Sequence, residues 1–246
     1  MNRYTAKIIS NERLNRDVYR VRIALKASGS EPAIFSAGQY LELFLPDGRS
    51  AFFSIASAPE QADELELHIR HMPDSEMNCA LVAHLEQASE VELSMAMGQC
   101  HLSAAALSTE RTLVFVAGST GFAQIKSMVE HLLANQVTQP IHVFWGGRIA
   151  DDLYLDDLAR QWANDYSNLH YTAVVSEPNA SWLGERGLLP DIVAADIQAP
   201  AETDIYACGS PGMVYALVDA LEAKGISERQ IHADVFAYAP RPKATS

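Results

Sequence analysis

Apolar residues take every second position in Tyr19-Arg20-Val21-Arg22-Ile23-Ala24-Leu25. The alternation recurs in Leu65-Glu66-Leu67-His68-Ile69-Arg70, whose charges fall on the opposite face, so both segments predict half-buried β-strands. Leu41, Leu43 and Leu45 predict a third strand that stops at the Pro46-Asp47-Gly48 turn, and Val91, Leu93 and Met95 a fourth that stops at Gly98. Met77, Ala80, Leu81, His84 and Leu85 stand at three- and four-residue intervals, the spacing of a helix. Short strands at this density point to a small antiparallel barrel or sandwich.

Near Thr109 the period changes. Leu113-Val114-Phe115-Val116-Ala117 is a continuous apolar run, the mark of a strand buried on both faces of a parallel sheet, and a helical pattern follows to about Asn135. Ile141-His142-Val143-Phe144-Trp145, Tyr171-Thr172-Ala173-Val174-Val175 and Ile205-Tyr206-Ala207-Cys208 predict three more such strands. Helices are predicted over 155–162 and from Pro211 to about Lys224. Alternating strands and helices make a doubly wound α/β parallel sheet. The chain thus divides into a β-barrel domain over residues 1–106 and an α/β domain over residues 107–246. The tail over 239–246, with two prolines and no period, reads as loosely held.

Composition narrows the function. The 246 residues are 48% hydrophobic and 20% charged, the balance of a folded chain with a sizeable core. No apolar run nears the ~20 residues that span a bilayer, and the first seven residues lack a signal peptide's apolar segment, so a cytoplasmic location with no membrane partner is expected. Eighteen Lys and Arg against 31 Asp and Glu leave a net charge of −13, which argues against nucleic acid. Cys79, Cys100 and Cys208 are too few and too scattered for a disulfide framework or a four-thiolate iron–sulfur or zinc site. His68 and His71 stand three apart in a strand-then-loop context, which suits solvated side chains better than metal ligands, and no metal site is expected.

Three segments carry candidate chemistry. Gly118-Ser119-Thr120-Gly121 joins the first buried strand of the second domain to its helix, where glycines let the backbone approach a ligand and the helix N-terminus favours a phosphate. Tyr206-Ala207-Cys208-Gly209-Ser210-Pro211-Gly212-Met213 lies at another strand's carboxyl end, with Ser210 suited to cap a helix and Pro211 to open it. Cys208 there is either a small core residue or a soft wall beside a reactive ring. In Ala51-Phe52-Phe53-Ser54-Ile55-Ala56-Ser57-Ala58-Pro59, read as a strand, Phe53, Ile55 and Ser57 share one face and Ser54 and Ala56 the other, which is small enough to admit a flat ring.

Taken together, F-S-I-A-S-A-P at 53–59, L-E-L-H-I-R at 65–70, A-G-S-T-G-F at 117–122, W-G-G-R at 145–148, Y-A-C-G-S-P-G-M at 206–213 and D-V-F-A-Y at 234–238 resemble the ferredoxin–NADP reductase superfamily in content and order. Within it the chain looks most like the small bacterial NAD(P)H:flavin oxidoreductases, including the luciferase-associated flavin reductases, over residues 4–238. The resemblance implies a barrel that binds flavin, an α/β domain that binds NAD(P)H, and hydride transfer between them. It implies that Phe53, Ser54, Ile55 and Ala56 form the flavin-ring strand, with the Ser54 hydroxyl near flavin N5, and that His68, Ile69 and Arg70 lie at the ribityl side. Gly118, Ser119, Thr120 and Gly121 would frame nicotinamide and pyrophosphate, Cys208, Gly209 and Pro211 would wall the nicotinamide, and Phe236 and Tyr238 would close over the isoalloxazine.

One departure bears on the flavin. The superfamily motif places an arginine two residues before Phe53, where this chain has Ala51; Arg49 shares that face but lies about 7 Å further along a strand. The resemblance therefore implies an enzyme that reduces a free or loosely held riboflavin, FMN or FAD with NAD(P)H, with a flavin-dependent oxygenase as a taker of the product. The alternative is an FAD-containing reductase that passes electrons to a ferredoxin, an oxygenase or a ferric complex, which the C-G-S-P sequence, more typical of the wider superfamily, keeps open. Arg148 and Arg186 are candidates to meet a 2′-phosphate.

Overall fold

The computed structural model describes residues 3–25, 34–61 and 63–241. Packing divides them into two units. One holds the described residues up to Ser108 together with Ala123–Val137; the other holds Thr109–Phe122 and the described residues from Thr138 on.

The first unit is a six-stranded antiparallel sheet of β1 (Arg3–Arg13), β2 (Val18–Leu25), β3 (Tyr40–Phe44), β4 (Ser50–Ser54), β5 (Leu65–Arg70) and β6 (Glu90–Met97), ordered β4-β3-β6-β1-β2-β5. A bridge between Ile55, just past β4, and Leu67 of β5 joins the two ends of that order and closes the barrel. Alternate residues fill it, among them Val21, Ile23, Leu41, Leu43, Leu67, Ile69, Val91 and Leu93. Helix α1 (Glu76–Gln87) adds Leu81, Val82 and Leu85, and its first turn is capped by the Ser75 hydroxyl, which accepts the Asn78 N–H.

β5 departs from expectation. Its charged face is not solvated: Glu66 and His68 are only 7% and 4% exposed. The covering element is helix α2 (Phe122–Ala134), which carries Lys126 to within 3.4 Å of the Glu66 carboxylate and 2.9 Å of Glu130. His68 Nε2 bonds the same carboxylate at 2.8 Å, and Arg22 stands 3.6 Å from it. Burial alone would raise the Glu66 pKa, but the His68 hydrogen bond and the Lys126 charge outweigh it and hold the carboxyl at about 2; burial pushes His68 down, against the pull of Glu66. His68 is thus a buried hydrogen-bonding partner.

The second unit is an all-parallel sheet ordered β10-β9-β8-β7-β11-β12, from β7 (Thr112–Gly118), β8 (Ile141–Gly147), β9 (Leu169–Val175), β10 (Glu185–Arg186), β11 (Thr203–Cys208) and β12 (Ile231–His232). Its helices are α3 (Asp156–Asp165), α4 (Leu189–Asp196), α5 (Pro211–Glu222) and the short α6 (Val235–Tyr238). From β7 the chain builds outward through β8, β9 and β10, then crosses back to add β11 and β12 on the other side. The switch point lies between β7 and β11, where open α/β sheets bind ligands. The tail is held further than expected: Tyr215 donates to the Ala239 carbonyl at 2.8 Å, and Arg241 pairs with Asp219 at 2.7 Å over the Tyr215 ring. Residues 242–246 lie outside the described residues. Among the described residues no helix is long and apolar enough to cross a membrane.

A carboxyl with a folded pKa of about 2 and an ordinary one of 4.5 stabilises the fold above pH 4.5, and that stabilisation drains away as the pH falls toward 2. Glu66→Gln is therefore expected to lose melting temperature less steeply than the wild type across that interval. Equal slopes in a pH series of thermal melts would contradict the assignment.

Candidate functional site

In the first unit the register pairs Tyr40 with Ser54 and Leu41 with Phe53. Phe53 and Ala51 therefore lean on the barrel core, and Ser54 shares the outer face with Phe52, which is 59% exposed and edge-on to Tyr40 at 5.8 Å. Ile55 and Ala56 have fully buried side chains, and their amides donate to the Gln39 and Glu66 carbonyls at 3.0 and 2.7 Å. Of the four residues expected in the flavin-ring strand, Phe53 and Ser54 are the two with partly exposed side chains. Phe52 was not singled out; the alternation that puts Phe53 in phase with Ile55 was the signal that its neighbour faces out. An exposed ring beside a hydroxyl is a donor set that fits a flat heteroaromatic group with a hydrogen-bonding edge.

Along β5, His68 is enclosed as described and Ile69 is core. Arg70 keeps part of its side chain exposed, with Nε 3.4 Å from Asp17, and its carbonyl accepts from Asn78 at 2.8 Å. Arg49 donates to Asp47 at 2.8 Å and reaches Glu76 at 3.5 Å. Its charge is thus matched by carboxylates and does not stand in for the arginine missing at Ala51.

In the second unit β7 ends at Gly118, a single 3₁₀ turn covers Ser119–Gly121, and α2 begins at Phe122. Ser119 has φ +54°, and its carbonyl accepts from Trp145 Nε1 at 2.9 Å, which pins the turn to β8. A Cβ on Gly121 would stand 2.3 Å from the Cys208 carbonyl oxygen, and Gly209 lies 3.4 Å from Gly118 by the same construction. Gly121 thus lets the turn lie directly against the end of β11, whereas Gly209 and Gly118 meet at ordinary contact distance. Gly212, by contrast, has nothing within 4 Å of an added Cβ, and Ser210, Pro211 and Gly212 are exposed. Here α5 starts, opened by Pro211 and capped by Ser210, whose hydroxyl accepts from the Met213 amide at 3.3 Å. An open first turn of a 12-residue helix at a switch point fits a phosphate-bearing nucleotide.

Cys208 is half-buried at the end of β11. Burial, with Asp234 adding to it, pushes its thiol up to about 12, so at neutral pH it presents an uncharged, polarisable surface. Phe236 and Tyr238 diverge. Phe236 packs toward α5, 6.0 Å from the Tyr215 ring, and lines a cavity of about 460 Å³ with Glu222, Ser227, Glu228 and Arg229, whereas Tyr238 is 64% exposed. Arg148 is exposed beyond β8, and Arg186 donates to the Trp182 carbonyl at 2.7 Å. Among the described residues no cluster of His, Cys, Asp or Glu is arranged to hold a metal.

Residues 5–102 match the family described as an oxidoreductase FAD-binding domain, and residues 115–219 the oxidoreductase NAD-binding domain. The chain is 32% identical over 213 residues to an NAD(P)H-flavin reductase of Vibrio harveyi, covering 84% of this chain and 89% of that protein. It is 32% identical over 239 residues to the terephthalate 1,2-dioxygenase reductase component 1 of a Comamonas species, covering 97% and 69%. Its fold matches the crystal structure of the Amycolatopsis cytochrome P450 reductase GcoB with a TM-score of 0.84 at 27% identity, over 95% of this chain and 69% of that one. The chain spans 59% to 69% of the length of several relatives.

The two kinds of glycine predict opposite outcomes. Gly121→Ala drives a methyl into the Cys208 carbonyl and is expected to destabilise by about 1–3 kcal/mol, read by chemical denaturation. Gly212→Ala leaves stability unchanged or slightly raised, since alanine suits a helix better, but raises the KM for NAD(P)H several-fold. A stable Gly121→Ala protein would contradict the close approach; an unchanged KM in Gly212→Ala would separate that turn from the nucleotide.

Proposed function

We propose that this chain, an NAD(P)H-dependent flavoprotein reductase belonging to the ferredoxin–NADP reductase superfamily, works on free or loosely held flavin as a substrate. When both groups are bound, the nicotinamide supplies a hydride that the flavin accepts together with a proton. The chain's own part is positioning: reacting atoms must stand about 3–3.5 Å apart and aligned, which converts a bimolecular step into an effectively unimolecular one. On this reading Ser54 hydrogen-bonds the flavin edge at N5, with Phe53 beside it. The 118–121 turn and the first turn of α5 take the nucleotide's phosphates, and the neutral Cys208 thiol, Gly209 and Pro211 pack against the nicotinamide. Tyr238 is the exposed ring available to cover the flavin. Ser54 and Cys208 are the two side chains assigned to touch the reacting rings, and neither has to exchange a proton for the hydride to move.

The observation that carries the loose-flavin reading is Ala51, together with the commitment of Arg49 to Asp47 and Glu76. Without an arginine at position 51, a charge-assisted contact of about 1.5–3 kcal/mol is missing, which weakens flavin retention by one to two orders of magnitude. The likeness to the Vibrio harveyi reductase agrees with this. The second reading, an FAD-bound reductase that feeds an oxygenase, draws on the equal identity to the terephthalate dioxygenase component. The cytoplasm remains the compartment proposed, and an oxygenase that consumes reduced flavin the partner.

Three measurements test the proposal. NADH and NADPH oxidation, followed by stopped flow with and without added riboflavin, FMN and FAD, is expected to require added flavin, and the purified protein to be largely colourless. Stoichiometric FAD surviving dialysis would promote the second reading. Ala51→Arg is expected to tighten flavin about tenfold or more, and Ser54→Ala to cut turnover about tenfold while sparing the fold. An undiminished rate at saturating substrates would remove Ser54 from the site.

A further inference from the structure

β4 ends at Ser54, yet the chain does not come to the surface there, for Ile55, Ala56, Ser57 and Ala58 are all buried. A strand that leaves its sheet inside the protein must find other partners for its main chain, because an unpaired buried carbonyl costs about 1–3 kcal/mol. β5 serves the amide side: Ala56 N–H donates to the Glu66 carbonyl at 2.7 Å, and the Ser57 hydroxyl accepts from the Glu66 amide at 3.1 Å. Helix α2 serves the carbonyl side. The Ser127 hydroxyl donates to the Ser57 carbonyl at 2.8 Å, and Lys126 Nζ to the Ala56 carbonyl at 3.4 Å. Gln124, also buried, donates to the carbonyls of Gly38 and Cys100 at 2.7 and 3.0 Å.

Gln124 and Ser127 meet these carbonyls with neutral groups. Lys126 is different, because it is a cation only 6% exposed that brings the carboxylates of Glu66 and Glu130 inside with it. Buried ion clusters are often replaceable by apolar residues with no loss of stability, so stability alone gives little reason for this one. Its geometry gives a better reason. One ammonium holds α2, β5 and the Ala56 carbonyl, two residues from the Ser54 hydroxyl.

We propose that Lys126 is a positioning residue for flavin reduction: through the Ala56 carbonyl and the Glu66 carboxylate it fixes where the Ser54-bearing segment stands. This rests on the reading of that segment as the flavin-ring strand. A displacement of the order of 1 Å at a reacting group can cost up to about a hundredfold in rate, so the loss appears in the hydride step rather than in folding.

The test is anaerobic single-turnover stopped flow with flavin equimolar to total protein, both well above the flavin dissociation constant, and NAD(P)H saturating, because the observed rate constant of the fast phase is then independent of how much protein is folded while its amplitude reports it. Lys126→Met is expected to lower the rate constant at least about tenfold with amplitude and melting temperature near those of the wild type. Glu130→Gln, which weakens the closest partner but keeps the ammonium, should lower it about threefold, and it decides the matter if Lys126→Met does not fold. An unchanged rate constant with a reduced amplitude in Lys126→Met, or an unchanged rate constant in Glu130→Gln, overturns the proposal. Failure of the wild type itself to reduce any flavin overturns the functional reading instead.

Discussion

A strand that ends while still buried leaves carbonyls that something must meet, and the first unit is organised around that requirement. Past Ser54, α2 meets the carbonyls of Ala56 and Ser57 with an ammonium and a hydroxyl donor, and its Gln124 amide serves the carbonyls of Gly38 and Cys100. The consequence spreads to β5. Lys126 needs buried counter-charges, which places Glu66 on a face that alternation alone would leave in water, and Glu66 in turn fixes His68. Polar residues on the buried flank of α2 and charges on the covered face of β5 are thus two halves of one solution.

The second unit obeys a different constraint. All its strands run parallel, so their carboxyl ends gather on one edge, and the strand order reverses between β7 and β11, the position at which open α/β sheets bind ligands. The turn that follows β7 lies against the end of β11 because Gly121 has no side chain. The same edge carries the open first turn of α5 and the uncharged Cys208 thiol, within a few residues of each other in sequence.

Much of this was legible in the sequence where the signal is local. β2, β3 and β6 follow their alternation, and β7, β8, β9 and β11 follow their apolar runs, because burial on one face or two writes itself directly into residue order. β1 escaped notice because only Ala6 of its eleven residues is buried; β10 and β12, two residues each, are too short to hold a period. The burial of Glu66 and His68 was invisible because it depends on Lys126, far along the chain. The tail was misjudged through 239–241 for the same reason, since Arg241 finds Asp219 across α5. In the site, motif order drew attention to Ser54, the 118–121 turn and Cys208, which the structure sets at the end of β4, after β7 and at the end of β11; the contact of Gly121 with the Cys208 carbonyl joins residues far apart in sequence and leaves no local signal.

The central claim is that a hydride passes directly from the nicotinamide to the flavin with no protein group carrying it on the way. Anaerobic mixing of the protein and free flavin with NAD(P)H deuterated separately at each face of C4 tests it most directly. The account predicts a slowed bleaching of the flavin's visible band with one labelled face and not the other, and loss of that label alone from the recovered nucleotide. Bleaching at the same rate with either label, or partial loss of each label to a similar extent, would contradict it.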